Sequence, residues 1–191
     1  MTTHYIDIAL RPDPEFSPAH LLGALVAKLH RALVQGQTSD IGVSYPQHVS
    51  QPASRRSLGT LLRLHGTASA LARLMGQDWL TGMRDHIACT DIQPVPDGAR
   101  HRTVRRRQFK TNVERLRRRR MQRHAETPEQ ATAAIPEDVE RRPDLPFVQL
   151  RSSSTGQSFC LYIEHGALQE TPVPGAFNAY GLSHGTTVPW F

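Results

Sequence analysis

Apolar and polar positions alternate over residues 4–10 (HYIDIAL), a period of two rich in β-formers that predicts a strand, and the proline-bounded RPDPEF then turns the chain. The period changes next: Leu21, Leu22, Leu25, Val26, Leu29 and Leu33 recur at helical spacing and predict an amphipathic helix with one buried face. Ser17 followed by Pro18 supplies its N-cap and first residue, and Gly36 ends it. Residues 41–45 (IGVSY) and 58–66 (LGTLLRLHG) read as a second and third strand joined by a polar connection. Thr67 is placed to cap a helix carrying Leu71, Leu74 and Met75, and 86–93 (HIACTDIQ) reads as a fourth strand.

The order βαββαβ is that of the ferredoxin-like split unit, shared with RNA-recognition motifs, so the expected class is α+β. Pro94, Pro96 and Gly98 break the pattern where the composition turns basic. A boundary near residue 97 is expected, giving an N-terminal domain 1–97 and a smaller C-terminal α/β domain 98–191. In the second part HRTVRRRQFK fits strand or loop, Asn112 suits the N-cap of NVERLRRRRMQRH, and Glu114 in its first turn suits the helix dipole. A short helix opens at Thr127-Pro128-Glu129 and stops before Pro136, and PFVQLR, SFCLYIEH and FNAYGL read as strands.

Composition narrows the class of protein. With 191 residues, 38% hydrophobic and 21% charged, and a mean hydropathy of -0.45, the chain reads as soluble and globular. No stretch has the apolar length of a membrane span, and the first residues lack the signature of a secretory signal, which points to the cytoplasm. Cys89 and Cys160 form no C-x-x-C pair and sit among apolar residues, so they are expected to face the core.

Charge carries more information. Of the net +6, residues 100–124 hold eleven arginines and Lys110 against Glu114 alone, a local +11 that leaves −5 elsewhere. On the helix, Arg115, Arg119 and Arg123 fall on one row, a line of guanidinium groups spanning roughly 12 Å. That length suits a nucleic-acid groove, and arginine over lysine favours forked contacts to phosphate. A solvated basic face and a duplex-DNA partner are the competing readings, and the RRM-like order tilts the choice towards RNA.

Candidate chemistry is sparse. No G-x-S-x-G elbow, H-E-x-x-H, paired-carboxylate or glycine-rich phosphate motif occurs, so an acyl-transfer hydrolase gains no support. His30 stands at the edge of the first helix's apolar face, the turn Arg151 to Gly156 is serine-rich, and Tyr180 precedes Gly181. By themselves these read more often as a packing or capping histidine, a polar hairpin and a strand-end aromatic, and their roles stay open at this point.

A resemblance gives them roles. HYIDI, RPDPEF, KLH, IGVSYP, the NxxERLRRR helix, DLPFVQLRSSSTGQSF, IEHG and YGLSHGTTVPWF run collinearly with the pattern of the CRISPR-associated pre-crRNA-processing endoribonucleases of type I-F systems, a branch of the wider Cas six-type superfamily. The resemblance implies a protein that binds the CRISPR repeat stem-loop and cuts at the 3′ base of the stem. It would work without a metal, leaving a 5′-OH and a 2′,3′-cyclic phosphate or 3′-phosphate. His30 would be the base for the ribose 2′-OH, Ser152 would hold that ribose, and Tyr180 would orient the histidine. Arg106 and Gln108 would read base edges in the lower stem, and Phe159 would stack under its last pair. Arg115, Arg118, Arg119 and Arg123, with Ser154 and Thr155, would contact the RNA. The implied partners are the crRNA and the other subunits of the crRNA-guided surveillance complex. A non-catalytic RNA-hairpin-binding subunit is the main alternative, followed by a DNA-binding regulator.

Overall fold

The computed structural model describes residues 2–50, 56–109, 113–136, 144–152 and 155–191. These residues form an α+β fold with two antiparallel sheets. The first sheet comprises β1 (His4–Leu10), β2 (Gly42–Ser44), β3 (Leu61–Gly66), β4 (Ile87–Cys89) and β5 (Gln93–Pro94), in the order β2-β3-β1-β4 with β5 also on β1. Helices α1 (Pro18–Gln35) and α2 (Ala68–Met75) form the crossovers, so the observed order is βαββαβ with β3 inserted between β1 and β2. The register sets Ile6 opposite Leu64 and Ile8 opposite Leu62, all four inside, and each such side chain contributes roughly 1.5–3 kcal/mol by burial.

The sequence signals at the helices act as expected. The Ser17 hydroxyl accepts the His20 amide, and the α1 residues Leu21, Leu22, Leu25, Val26, Leu29 and Leu33 are buried. Thr67 likewise accepts the Ala70 amide at 3.1 Å to open α2.

The second sheet contains β6 (Arg100–Arg107), β7 (Phe147–Arg151), β8 (Ser158–His165) and β9 (Thr187–Trp190), in the order β7-β8-β6-β9. The change of sheet falls between Pro94 and Arg100. Compactness divides the chain differently: Met1–Arg107 with Leu145–Phe191 form one unit, and Gln108–Asp144 form another. In the larger unit a single apolar cluster runs from Ile6, Ile8 and Leu25 through to Val104, Leu161, Ile163 and Val188. Helix α1 also lies close against β7, where a Cβ on Gly23 would come within 2.8 Å of the Gln149 carbonyl oxygen. In the smaller unit α3 (Val113–His124) packs on α4 (Pro128–Ala134), which opens with a Thr127/Gln130 capping box. Asn112, expected to cap α3, lies outside the described residues.

Three sequence expectations change and one open reading is resolved. The strand expected over 86–93 is interrupted, because the Thr90 hydroxyl takes the Asp7 amide at 3.0 Å between β4 and β5. FNAYGL forms a turn, and the last strand is Thr187–Trp190, whose Pro189 is tolerated because β9 is an edge. The ambiguous 100–107 stretch is a strand. Neither cysteine is in the core: Cys89 ends a three-residue strand and is exposed, and Cys160 is half-buried, out of phase with the inward Leu161 and Ile163. Among the described residues no helix is long and apolar enough to cross a membrane.

Candidate active site

His30 lies in the penultimate turn of α1, and a turn that follows Phe177 meets it. The His30 Nδ1 atom is 2.8 Å from the Ala179 carbonyl oxygen. A carbonyl can only accept, so Nδ1 carries the proton and Nε2 keeps the lone pair of the neutral ring. The Tyr180 ring lies flat against the imidazole, with centroids 4.0 Å apart and planes inclined by 4°. Stack and hydrogen bond together fix both the plane and the tautomer of His30.

Burial pushes the Tyr180 phenol above its usual range, and the positive charge of Arg106 partly offsets this. Arg106 stands on β6 with its guanidinium 5.9 Å from the Phe159 ring of β8, and its Nε is buried with no hydrogen-bond partner among the described residues. His30, Tyr180, Arg106 and Phe159 are thus linked, each to the next, within the larger unit.

Ser152 occupies the connection from β7 to β8. Its amide donates to the Gln157 carbonyl at 2.9 Å, its carbonyl accepts the Gly156 amide at 2.9 Å, and its Oγ accepts the Thr155 amide at 3.2 Å. Thr155 is exposed, and Ser154 lies outside the described residues. Gln108 is exposed and begins the smaller unit.

On α3 the arginines sort themselves by partner. Arg117 donates from Nε to the Ile135 carbonyl at 2.9 Å, and Arg120 holds Glu126 through Nε at 2.6 Å and Nη2 at 2.9 Å. Arg118, Arg119 and Arg123 are exposed, and the side chain of Arg115 is outside the described set. On β6 the charge is also partly spent within the protein. Glu164 takes Arg105 at 2.8 Å and Arg107 at 3.0 Å, and Arg102 donates twice to the Gly166 carbonyl and covers the Trp190 ring. Among the described residues no group of three or more His, Cys, Asp or Glu is placed to hold a metal ion.

Residue-type reasoning misses the Ala179 carbonyl and Asn178, because one is main chain and the other sits in a stretch with strand-like composition. The signal that could have exposed them is Asn-x-x-Gly, the ends of a four-residue turn.

A histidine held in one tautomer on one unit and a run of exposed arginines on another define a basic α+β protein suited to a polyanion. The family described as "CRISPR-associated protein (Cas_Csy4)" matches residues 5–191, and the chain belongs to it. A relative from Pseudomonas aeruginosa (strain UCBPP-PA14), named "CRISPR-associated endonuclease Cas6/Csy4", is 51% identical over 188 residues, 98% of this chain and 99% of that protein. A relative of the same name from Escherichia coli (strain UTI89 / UPEC) is 44% identical over 188 residues, with the same coverage. A solved structure described as "An RAMP protein binding different RNA substrates" covers 98% of this chain and all of its own at TM-score 0.34 and 10% identity, a level from which nothing follows.

Proposed function

We propose that the chain is an endoribonuclease of CRISPR RNA processing, which binds the repeat stem-loop and cleaves pre-crRNA at the 3′ base of the stem. The observation that carries the reading is the His30 geometry, in a chain whose full-length relatives are named CRISPR-associated endonucleases. The reaction is a transesterification that needs no metal. His30 Nε2 takes the proton of the ribose 2′-OH, the 2′-oxygen attacks the adjacent phosphorus, and the P–O5′ bond breaks; the 5′-oxygen takes a proton from solvent and His30 returns its proton to solvent, leaving a 5′-OH and a 2′,3′-cyclic phosphate. An imidazole is suited to this, because it is largely neutral near pH 7 yet basic enough to accept a proton. Tyr180 holds the imidazole plane, and the Ser152 hydroxyl fixes the attacking ribose, which contributes orientation instead of charge.

Binding is divided among the remaining candidates. Arg106 and Gln108 read base edges, Phe159 stacks on the terminal pair, and Ser154 and Thr155 follow the backbone near the cut. The α3 arginines, Arg115, Arg118, Arg119 and Arg123, neutralise phosphates along the stem. In this reading residues 1–97 are a ferredoxin-like domain that carries the base, as the strand order β2-β3-β1-β4 supports, and residues 98–191 bind the stem. The chain acts in the cytoplasm and keeps the mature crRNA as a subunit of the type I-F surveillance complex.

The test is cleavage of the repeat hairpin in EDTA, beside a copy with one 2′-deoxy ribose upstream of the cut. Cutting of the first alone is expected. If both bind and neither is cut, the chain is a binding subunit.

A further inference from the structure

The peptide that orients His30 is held at both ends. Its carbonyl, on Ala179, accepts His30 Nδ1 at 2.8 Å, and its N–H, on Tyr180, donates to the Asn178 side-chain oxygen at 2.8 Å. A trans peptide is planar with N–H and C=O pointing oppositely, so whatever fixes one group fixes the other. The same Asn178 oxygen also accepts the Leu182 amide at 3.2 Å. The Asn178 main chain closes the turn: its amide donates to the Leu182 carbonyl at 2.9 Å, and its carbonyl accepts the Gly181 amide at 2.8 Å. Gly181 accommodates the turn at φ +69, where a side chain would be strained and would run into Val43.

The turn is moored on three sides. The Phe177 amide reaches the Ser39 carbonyl, the Val43 amide reaches the Gly181 carbonyl, and the Ser183 amide reaches the Val104 carbonyl, all at 2.8–3.0 Å. These bonds locate the turn but leave the Ala179–Tyr180 peptide plane itself to Asn178. Were that plane to rotate, an N–H would face His30 Nδ1 in place of a carbonyl. The neutral imidazole would then answer with a lone pair on Nδ1 and a proton on Nε2, the wrong tautomer for a base that acts through Nε2.

We propose that Asn178 is a positioning residue for His30, setting the tautomer of the base through the Ala179–Tyr180 peptide. This rests on the reading of His30 as general base. An acceptor oxygen at this position is the requirement, so aspartate serves and alanine does not.

The experiment compares the full-length protein with Asn178→Ala, Asn178→Asp and His30→Ala, measuring single-turnover cleavage of the repeat hairpin against pH, hairpin affinity, and the ¹⁵N signals of the His30 ring. Asn178→Ala is expected to cut about tenfold to a hundredfold more slowly, a loss no larger than the roughly 10²–10⁴ that a general base supplies, with affinity inside about twofold of the parent. The deficit persists at alkaline pH, because the ratio of neutral tautomers does not depend on pH. Asn178→Asp restores most of the rate, and the ¹⁵N signals of Asn178→Ala show protonated Nε2 where the parent shows protonated Nδ1. Cutting by Asn178→Ala at the parent rate while His30→Ala is inactive overturns the proposal, as does a loss of rate and affinity together that aspartate leaves unrepaired. Cutting by His30→Ala at the parent rate is a separate failure, that of the base assignment itself.

Discussion

A histidine at the rim of a helix's apolar face commonly packs or caps, and His30 differs from that in having both faces of its chemistry committed. Nδ1 is tied to a carbonyl and the ring is stacked, so Nε2 is left as the basic atom. Replacing His30 with alanine is expected to slow single-turnover cleavage by at least about 10²-fold while hairpin affinity stays within about twofold. Loss of both together in a binding titration would assign His30 to structure. Residue types alone left His30 and Tyr180 open at this scale, and it is the family resemblance that gave them and Arg106 their expected roles. What the sequence concealed was the acceptor, since a main-chain carbonyl has no residue identity and Asn178 stood among the β-formers of FNAYGL.

At the scale of elements, the arginine helix was legible as a helix but not in its division of labour. A linear row through Arg115, Arg119 and Arg123 follows from a period of 3.6, whereas the use of Arg117 and Arg120 depends on α4 folding beside them. The exposed pair Arg119 and Arg123 therefore makes the sharper test. Changing both to alanine is expected to weaken hairpin binding and to reduce the slope of log affinity against log salt by about one unit for each phosphate that is no longer neutralised. An unchanged slope would take α3 off the RNA. The strands show a parallel limit: alternation identified β1, β7 and β8, but β9 hid behind Pro189, and only its position at a sheet edge makes that proline acceptable.

The whole molecule has a feature that no window of sequence could reveal. Burial, with the charges of Arg63 and His101, pushes the His65 imidazole down to about 3, and its Nε2 shares a hydrogen bond of 2.8 Å with Ser44. Burial, with His48 and Arg102, pushes His165 down to about 2, while its ring stacks on His48 at 3.6 Å and meets Trp190 edge-on. Both are neutral in the folded protein and would charge below about 6.5 once unfolded, so acid favours the unfolded chain. Stability is expected to be complete above about pH 6.5 and to fall as pH drops towards 3 and then 2, read as the denaturation midpoint at each pH. Replacing His165 with a neutral aromatic residue should flatten that decline, and an equally steep decline would show that other groups cause it.

By itself the sequence determined the elements whose periodicity and caps are local: β1, α1, α2, α4 and the βαββαβ order, along with the concentration of arginine in one segment. Those follow from side-chain spacing and from capping chemistry, which act over a few residues. Only the tertiary structure decided which arginines are spent on internal partners, that two sheets share one apolar core, and that a turn some 150 residues from His30 delivers its acceptor. Each of these is a pairing between groups distant in the chain, and such pairings are selected by packing and hydrogen-bond satisfaction in three dimensions, for which a linear pattern carries no signal.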